Sequence, residues 1–147
     1  MKIIACGNPY RRDDAAALLV AERLQAFGID VEVCSGETSD LMAVWEDADR
    51  VILIDAVMTG APPGTIHVWD SSVPGLVSGA LPSTHGLGVA EAFRLVQVLG
   101  RAPACIRVYG IEAAGFELGA SPSAPVTAAA EQLAARIAGE IGAHPCA

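Results

Sequence analysis

Apolar positions along this chain follow two alternating spacings. Short continuous or two-residue-periodic runs lie at residues 2–6, 31–34, 51–57, 65–70 and 105–111, and most of the segments between them carry apolar residues at helical intervals. The run Val51-Ile52-Leu53-Ile54-Asp55-Ala56-Val57, preceded by Asp49-Arg50, predicts a central strand of a parallel sheet, buried on both faces. Residues 65–70 follow Pro62-Pro63-Gly64 and alternate in polarity, which suits a less buried edge strand. A helix is predicted over 13–27, with Leu18, Leu19, Ala21 and Leu24 at helical spacing, Asp13 as its N-cap and Gly28 as its stop. A short helix over 39–47 puts Leu41, Val44 and Trp45 on one face. Two more are predicted over about 86–99 and over 125–141, where Leu133, Ile137 and Ile141 lie four apart. Residues 71–84 are rich in Ser, Gly and Pro and predict a long loop of the kind that tends to be functional in a small domain.

Strands that alternate with helices imply an α/β fold. The expectation is one domain over residues 1–147, a three-layer α/β/α sandwich around a five-stranded, mostly parallel sheet. Its first and third strands should be central neighbours, and its fourth an antiparallel edge strand.

Charge narrows the partners. With 9 Lys and Arg against 17 Asp and Glu, the net charge is −8. That argues against nucleic acid, whose phosphates need a basic footprint, and against anionic membrane surfaces. The four cysteines, Cys6, Cys34, Cys105 and Cys146, form no C-x-x-C pair, and no basic-then-apolar signal segment precedes the first strand. Reduced thiols and a cytoplasmic protein are therefore expected.

An ionised carboxylate inside an apolar strand costs several kcal/mol unless it is paired or reaches the strand end. Asp55 is such a residue, and α/β proteins bind ligands where parallel strands end. The turn after the first strand reads Gly7-Asn8-Pro9-Tyr10-Arg11-Arg12-Asp13-Asp14. It lacks the glycine fingerprint of a phosphate loop and puts two carboxylates where a phosphate would sit. One aspartate accounts for the helix cap; Asp14 either complements the helix dipole or belongs to a site. His85, in Ser83-Thr84-His85-Gly86-Leu87, precedes a predicted helix and is flanked by glycine, which favours close approach of another chain or ligand. Ser83 has no G-x-S-x-G elbow around it. Glu112 ends the last strand in a supporting place. His67, His144, Trp45 and Trp69 read as uninvolved or as packing residues. Asp14, Asp55 and His85 should project from one edge of the sheet, and two carboxylates with one imidazole suit Ni, Zn, Fe or Mn with positions left open.

In this order the segments resemble the [NiFe]-hydrogenase maturation endopeptidases. The resemblance rests on the Gly7-Asn8 turn with its acidic pair, the strand ending in Asp55, His85 in its small polar turn, Tyr109-Gly110-Ile111-Glu112, and Leu118-Gly119-Ala120-Ser121-Pro122. It covers nearly the whole length. It implies an endopeptidase that removes the C-terminal tail of the nickel-loaded hydrogenase large-subunit precursor. Asp14, Asp55 and His85 would be its catalytic and metal-contacting residues. Nickel would be the recognition tag, supplied by the substrate, with Zn or another divalent ion able to replace it. Two positions depart from the family's usual pattern: Ala15 stands where glycine is usual, and Asp14 where some relatives carry glutamate. A methyl group at position 15 is costly if φ is positive there or if the substrate backbone makes close contact there. That feature motivates the alternative of a non-enzymatic docking or metal-checking protein that binds the precursor without cutting it.

Overall fold

A computed structural model describes residues 1–35, 37–45, 48–70, 95, 98–100 and 103–142. The apolar runs form β1 (Lys2–Cys6), β2 (Glu32–Cys34), β3 (Arg50–Val57), β4 (Ile66–Asp70) and β5 (Cys105–Glu112). They pair in the order β2-β1-β3-β5-β4; β4 is antiparallel to β5 and the other pairs are parallel. The predicted neighbours β1 and β3 are joined in the register Ile4↔Leu53 and Ala5↔Ile54. The central pairing of β1 with β3, the mostly parallel sheet and the antiparallel edge position of β4 are as expected.

Alternation along the strands sorts the core between the two faces. Ile3, Ala5, Ile52, Ile54, Tyr109 and Ile111 point to one face, where α1 (Ala16–Ala26) and α3 (Ala124–Ile141) cover them with Val20, Leu24, Leu133 and Ile137. Ile4, Cys6, Val51, Leu53, Ile106 and Val108 point to the other, against Leu41 and Trp45 of α2 (Thr38–Trp45). Trp45 and Leu41 are fully buried, each contributing about 2–3 kcal/mol of apolar burial. Trp45 is a packing residue, as the helical spacing implied.

Helix ends follow local chemistry. Gly28 adopts φ 80° just beyond α1, and its N–H reaches the Gln25 carbonyl, so it is the stop the sequence suggested. Pro125 occupies the first turn of α3, where a missing N–H costs nothing. The start of α1 differs from expectation. Residues Arg12–Ala15 form a separate 3-10 turn, and α1 begins at Ala16 with Ala15 as its N-cap. Asp13 is therefore not the helix cap.

The predicted loop over 71–84, His85, and most of the predicted helix over 86–99 lie outside the described residues. Of the cysteines, Cys6 and Cys34 are free thiols. Cys105 is disulfide-bonded, which departs from the expectation of reduced thiols throughout.

Candidate functional site at the carboxyl edge of the sheet

The strand registers align one transverse row of side chains near the carboxyl ends of the parallel strands. Cys34 pairs with Cys6, Asp55 with Gly110, and Gly110 with His67. Extending Ala5↔Ile54 by one residue brings Cys6 beside Asp55. Ile54 and Ala56 face α1 and α3, so Asp55 faces the opposite side, the face that also holds Cys6. The row reads Cys34, Cys6, Asp55, Gly110, His67. Asp55 is 1% exposed, and its Oδ1 accepts the Ala56 N–H at 2.8 Å.

Asp14 enters from the 3-10 turn that follows β1 and is also 1% exposed. It lines a cleft of about 290 Å³ with Gly7, Asn8, Pro9, Arg11, Ser35 and Glu37. The Cys6 thiol registers both aspartates. Its pKa is pushed well up, first by its hydrogen bond with Cys34 and by burial, then by electrostatic interaction with Cys34, Asp55 and Asp14. Asp14 and Asp55 are thus electrostatic neighbours of one buried sulfur.

Two features hold the turn so that Asp14 faces the cleft. Gly7 has no side chain because the turn folds back on it: a Cβ there would lie 2.1 Å from the Asp14 carbonyl oxygen. Arg12 takes φ 44°, a left-handed conformation that residues other than glycine seldom adopt; its guanidinium pairs with Glu117 at 3.0 Å. We expect Gly7→Ala to displace the turn, cutting activity at least tenfold, because positioning errors near 1 Å cost about 10²-fold. An activity assay on the purified variant checks this, and wild-type turnover would show that the turn absorbs the methyl group.

Asp13 does something the sequence did not reveal. It is fully buried, and its carboxylate accepts from Ala114 N–H at 2.7 Å, Gly115 N–H at 3.3 Å, Ser123 N–H at 2.7 Å and Ser123 O–H at 3.0 Å. It ties the turn of Asp14 to the segment between β5 and α3. Ala15 sits at φ −79°, ψ −2°, an ordinary right-handed conformation. Its methyl group therefore carries no backbone penalty.

Glu112 and His67 form a second cluster at the same edge. Glu112 is 2% exposed and accepts from the Thr59 N–H at 2.8 Å, the Thr59 hydroxyl at 2.5 Å, and His67 Nε2, which lies 3.0 Å away. His67 stacks on Trp69 at 5.3 Å. Gly110, the register partner of Asp55, makes way for Trp69 and Val57, since a Cβ there would meet them at 2.8 Å and 2.9 Å. His67 and Glu112 are thus held to each other at this edge, with Thr59 as the second partner of Glu112. Burial raises the Glu112 carboxyl, but the Thr59 hydroxyl, Thr59 N–H and His67 outweigh it and hold the pKa below the ordinary range. A carboxyl depressed in the folded state adds stability above its unfolded pKa and loses it as pH falls through the folded value. Glu112→Gln should therefore destabilise the protein by about 2 kcal/mol at pH 7. The gap from wild type should narrow below about pH 4 in chemical denaturation. A gap independent of pH would mean that the ionised carboxylate is not what Thr59 and His67 hold.

Among the described residues no group of three or more His, Cys, Asp and Glu side chains could hold a metal ion. The predicted trio is represented by Asp14 and Asp55, and its third member, His85, lies outside the described residues. What the geometry does show is two buried carboxylates near a cleft where parallel strands end.

Comparison with known proteins decides the family. The family model described as hydrogenase maturation protease matches residues 19–140, a span that includes Asp55 and His85 and begins after Asp14. The chain belongs to the hydrogenase maturation protease family. Curated relatives include the hydrogenase expression/formation protein HupD of Bradyrhizobium diazoefficiens, 29% identical over 129 residues, covering 84% of this chain and 67% of that protein. Another is HoxM of Cupriavidus necator, 29% identical over 112 residues, covering 72% and 55%. Against a second HupD, from Thiocapsa roseopersicina, the chain spans 52% of the relative's length. Among solved structures, the [NiFe] hydrogenase maturation protease HybD from Thermococcus kodakarensis superposes with a TM-score of 0.74 at 27% identity, covering 96% of this chain and 99% of that one. The maturating endopeptidase HybD from E. coli reaches 0.77 at 23% identity, covering 98% and 94%, and bears on the fold alone. The five-stranded sheet is thus the sheet of a hydrogenase maturation protease. No helix among the described residues is long and apolar enough to cross a membrane.

Proposed function

We propose that this protein is a cytoplasmic endopeptidase that removes the C-terminal tail of a nickel-loaded [NiFe]-hydrogenase large-subunit precursor. Nickel arrives with the substrate and serves as the recognition tag. The observation that carries this reading is the pair Asp14 and Asp55, both 1% exposed at the carboxyl edge of the sheet and both acting on the Cys6 sulfur. Hard carboxylate oxygens with one imidazole suit a divalent ion such as nickel or zinc carried by an incoming substrate. His85, in the segment Ser83-Thr84-His85-Gly86-Leu87, completes the proposed set.

In this reading Asp14 and Asp55 hold the substrate's metal by their carboxylate oxygens. The Ala56 N–H holds one oxygen of Asp55 at 2.8 Å and so fixes the orientation of its carboxylate. The cleft beside Gly7, Asn8 and Ser35 receives the polypeptide next to the scissile bond. The right-handed conformation of Ala15 removes one of the two motives for a binding protein that does not cut, the one that rests on backbone strain. Incubating the protein with nickel-loaded precursor should give a large subunit shortened at its C-terminus, while metal-free precursor should stay intact. Stable binding of the precursor with no shortened product would instead favour the docking protein.

A further inference from the structure

Cys6 and Cys34 take no part in the proposed reaction, yet their sulfurs are in direct contact. Their Sγ atoms lie 2.9 Å apart, both thiols are free, and the residues are direct partners in the β1–β2 register. Adjacent strands put such partners about 4.8 Å apart, inside the Cα separation of roughly 4.4–6.8 Å that disulfides span. Closing the bond shortens the sulfur separation by roughly 0.9 Å, to about 2.05 Å. The two thiols also differ in access: Cys6 is fully buried, whereas Cys34 is half-buried at the end of β2.

We propose that Cys6 and Cys34 are a reversible thiol–disulfide site, with hydrogen peroxide as the oxidant, and that its closure slows the endopeptidase. Cys34 meets the peroxide first. Its sulfur attacks one oxygen, the O–O bond breaks, and the other oxygen leaves as water with the thiol's proton, giving a sulfenic acid. The Cys6 sulfur then attacks the sulfenic sulfur; the S–O bond breaks, and a second water leaves with the proton Cys6 gives up. Two thiols and one peroxide become one disulfide and two waters, the sulfurs supplying both electrons.

Placement gives the bond its consequence. Cys6 immediately precedes Gly7, and Cys34 immediately precedes Ser35, so each sulfur is one residue from the lining of the cleft that Asp14 shares. The Gly7 N–H already bonds the Cys34 carbonyl at 3.2 Å. Closing the disulfide shifts both lining segments and pulls Cys6 away from Asp55.

The test treats the whole protein with hydrogen peroxide, removes it, and maps the cysteine peptides before and after a dithiol reductant. The expected result is a cross-link between the peptides of Cys6 and Cys34, reversed by the reductant and lost in Cys34→Ser and in Cys6→Ser. Sulfinic or sulfonic acid at Cys34 without a cross-link, or two unreacted thiols, overturns the site. The second arm rests on the proposed function and uses protein that cuts the precursor before treatment. Oxidised wild type should cut at least tenfold more slowly and recover with reductant. Cys34→Ser should cut at the untreated wild-type rate with or without peroxide. A cross-linked enzyme that cuts at full rate overturns the regulatory role while leaving the endopeptidase reading in place.

Discussion

Asp55→Asn abolishes precursor processing, lowering it roughly 10³-fold or more, while the protein melts within a few degrees of wild type. Asparagine has the shape of aspartate and keeps an Oδ1 to accept the Ala56 N–H, so the bond at 2.8 Å survives the substitution. What it loses is the negative charge. If that charge holds the metal of the substrate, activity falls and the fold stays. Asp14→Asn should behave the same way, because Gly7, Arg12 and Asp13 hold the turn around it. His85→Ala is the third member of the set. Precursor cleavage and thermal melting on all three variants decide the matter. Normal cutting by both asparagine variants would make these carboxylates structural and remove the basis of the proposed reaction.

Asp13→Ala is expected to do the reverse, costing about 3 kcal/mol of stability, or roughly 10 °C in melting temperature. A helix cap would have been worth about 1 kcal/mol. The larger figure follows from its contacts. Removing the carboxylate strands the N–H groups of Ala114 and Ser123, both within 2.7 Å of it, together with the Ser123 hydroxyl. Hydrogen bonds to a charged group contribute about 1.5–3 kcal/mol each, and the exposed edge of Ser123 recovers part of the loss in water. Activity should fall as well, since the same carboxylate anchors the turn that carries Asp14. Melting curves and denaturant midpoints read the first effect. A loss near 1 kcal/mol would mean that the segment between β5 and α3 finds other partners.

The local pattern was enough for the sheet. The uninterrupted run 51–57 could only be a strand buried on both faces, and the alternating 65–70 only an edge strand, because burial dictates side-chain polarity residue by residue. The same logic singled out Asp55, since a carboxylate in an apolar strand needs a special reason to be there. It also marked Asp14, as the aspartate left over once one cap was assigned. The division of labour in the acidic pair was another matter. Which aspartate faces the cleft depends on the 3-10 turn over Arg12–Ala15 and on donors about 100 residues away, and sequence spacing carries no information about such distant partners. The conformation of Ala15 was hidden for the same reason: a backbone angle at a turn is set by what the turn packs against. So was the row Cys34, Cys6, Asp55, Gly110 and His67. Each residue sits on a different strand, and only the register that the packed sheet imposes brings the five into line.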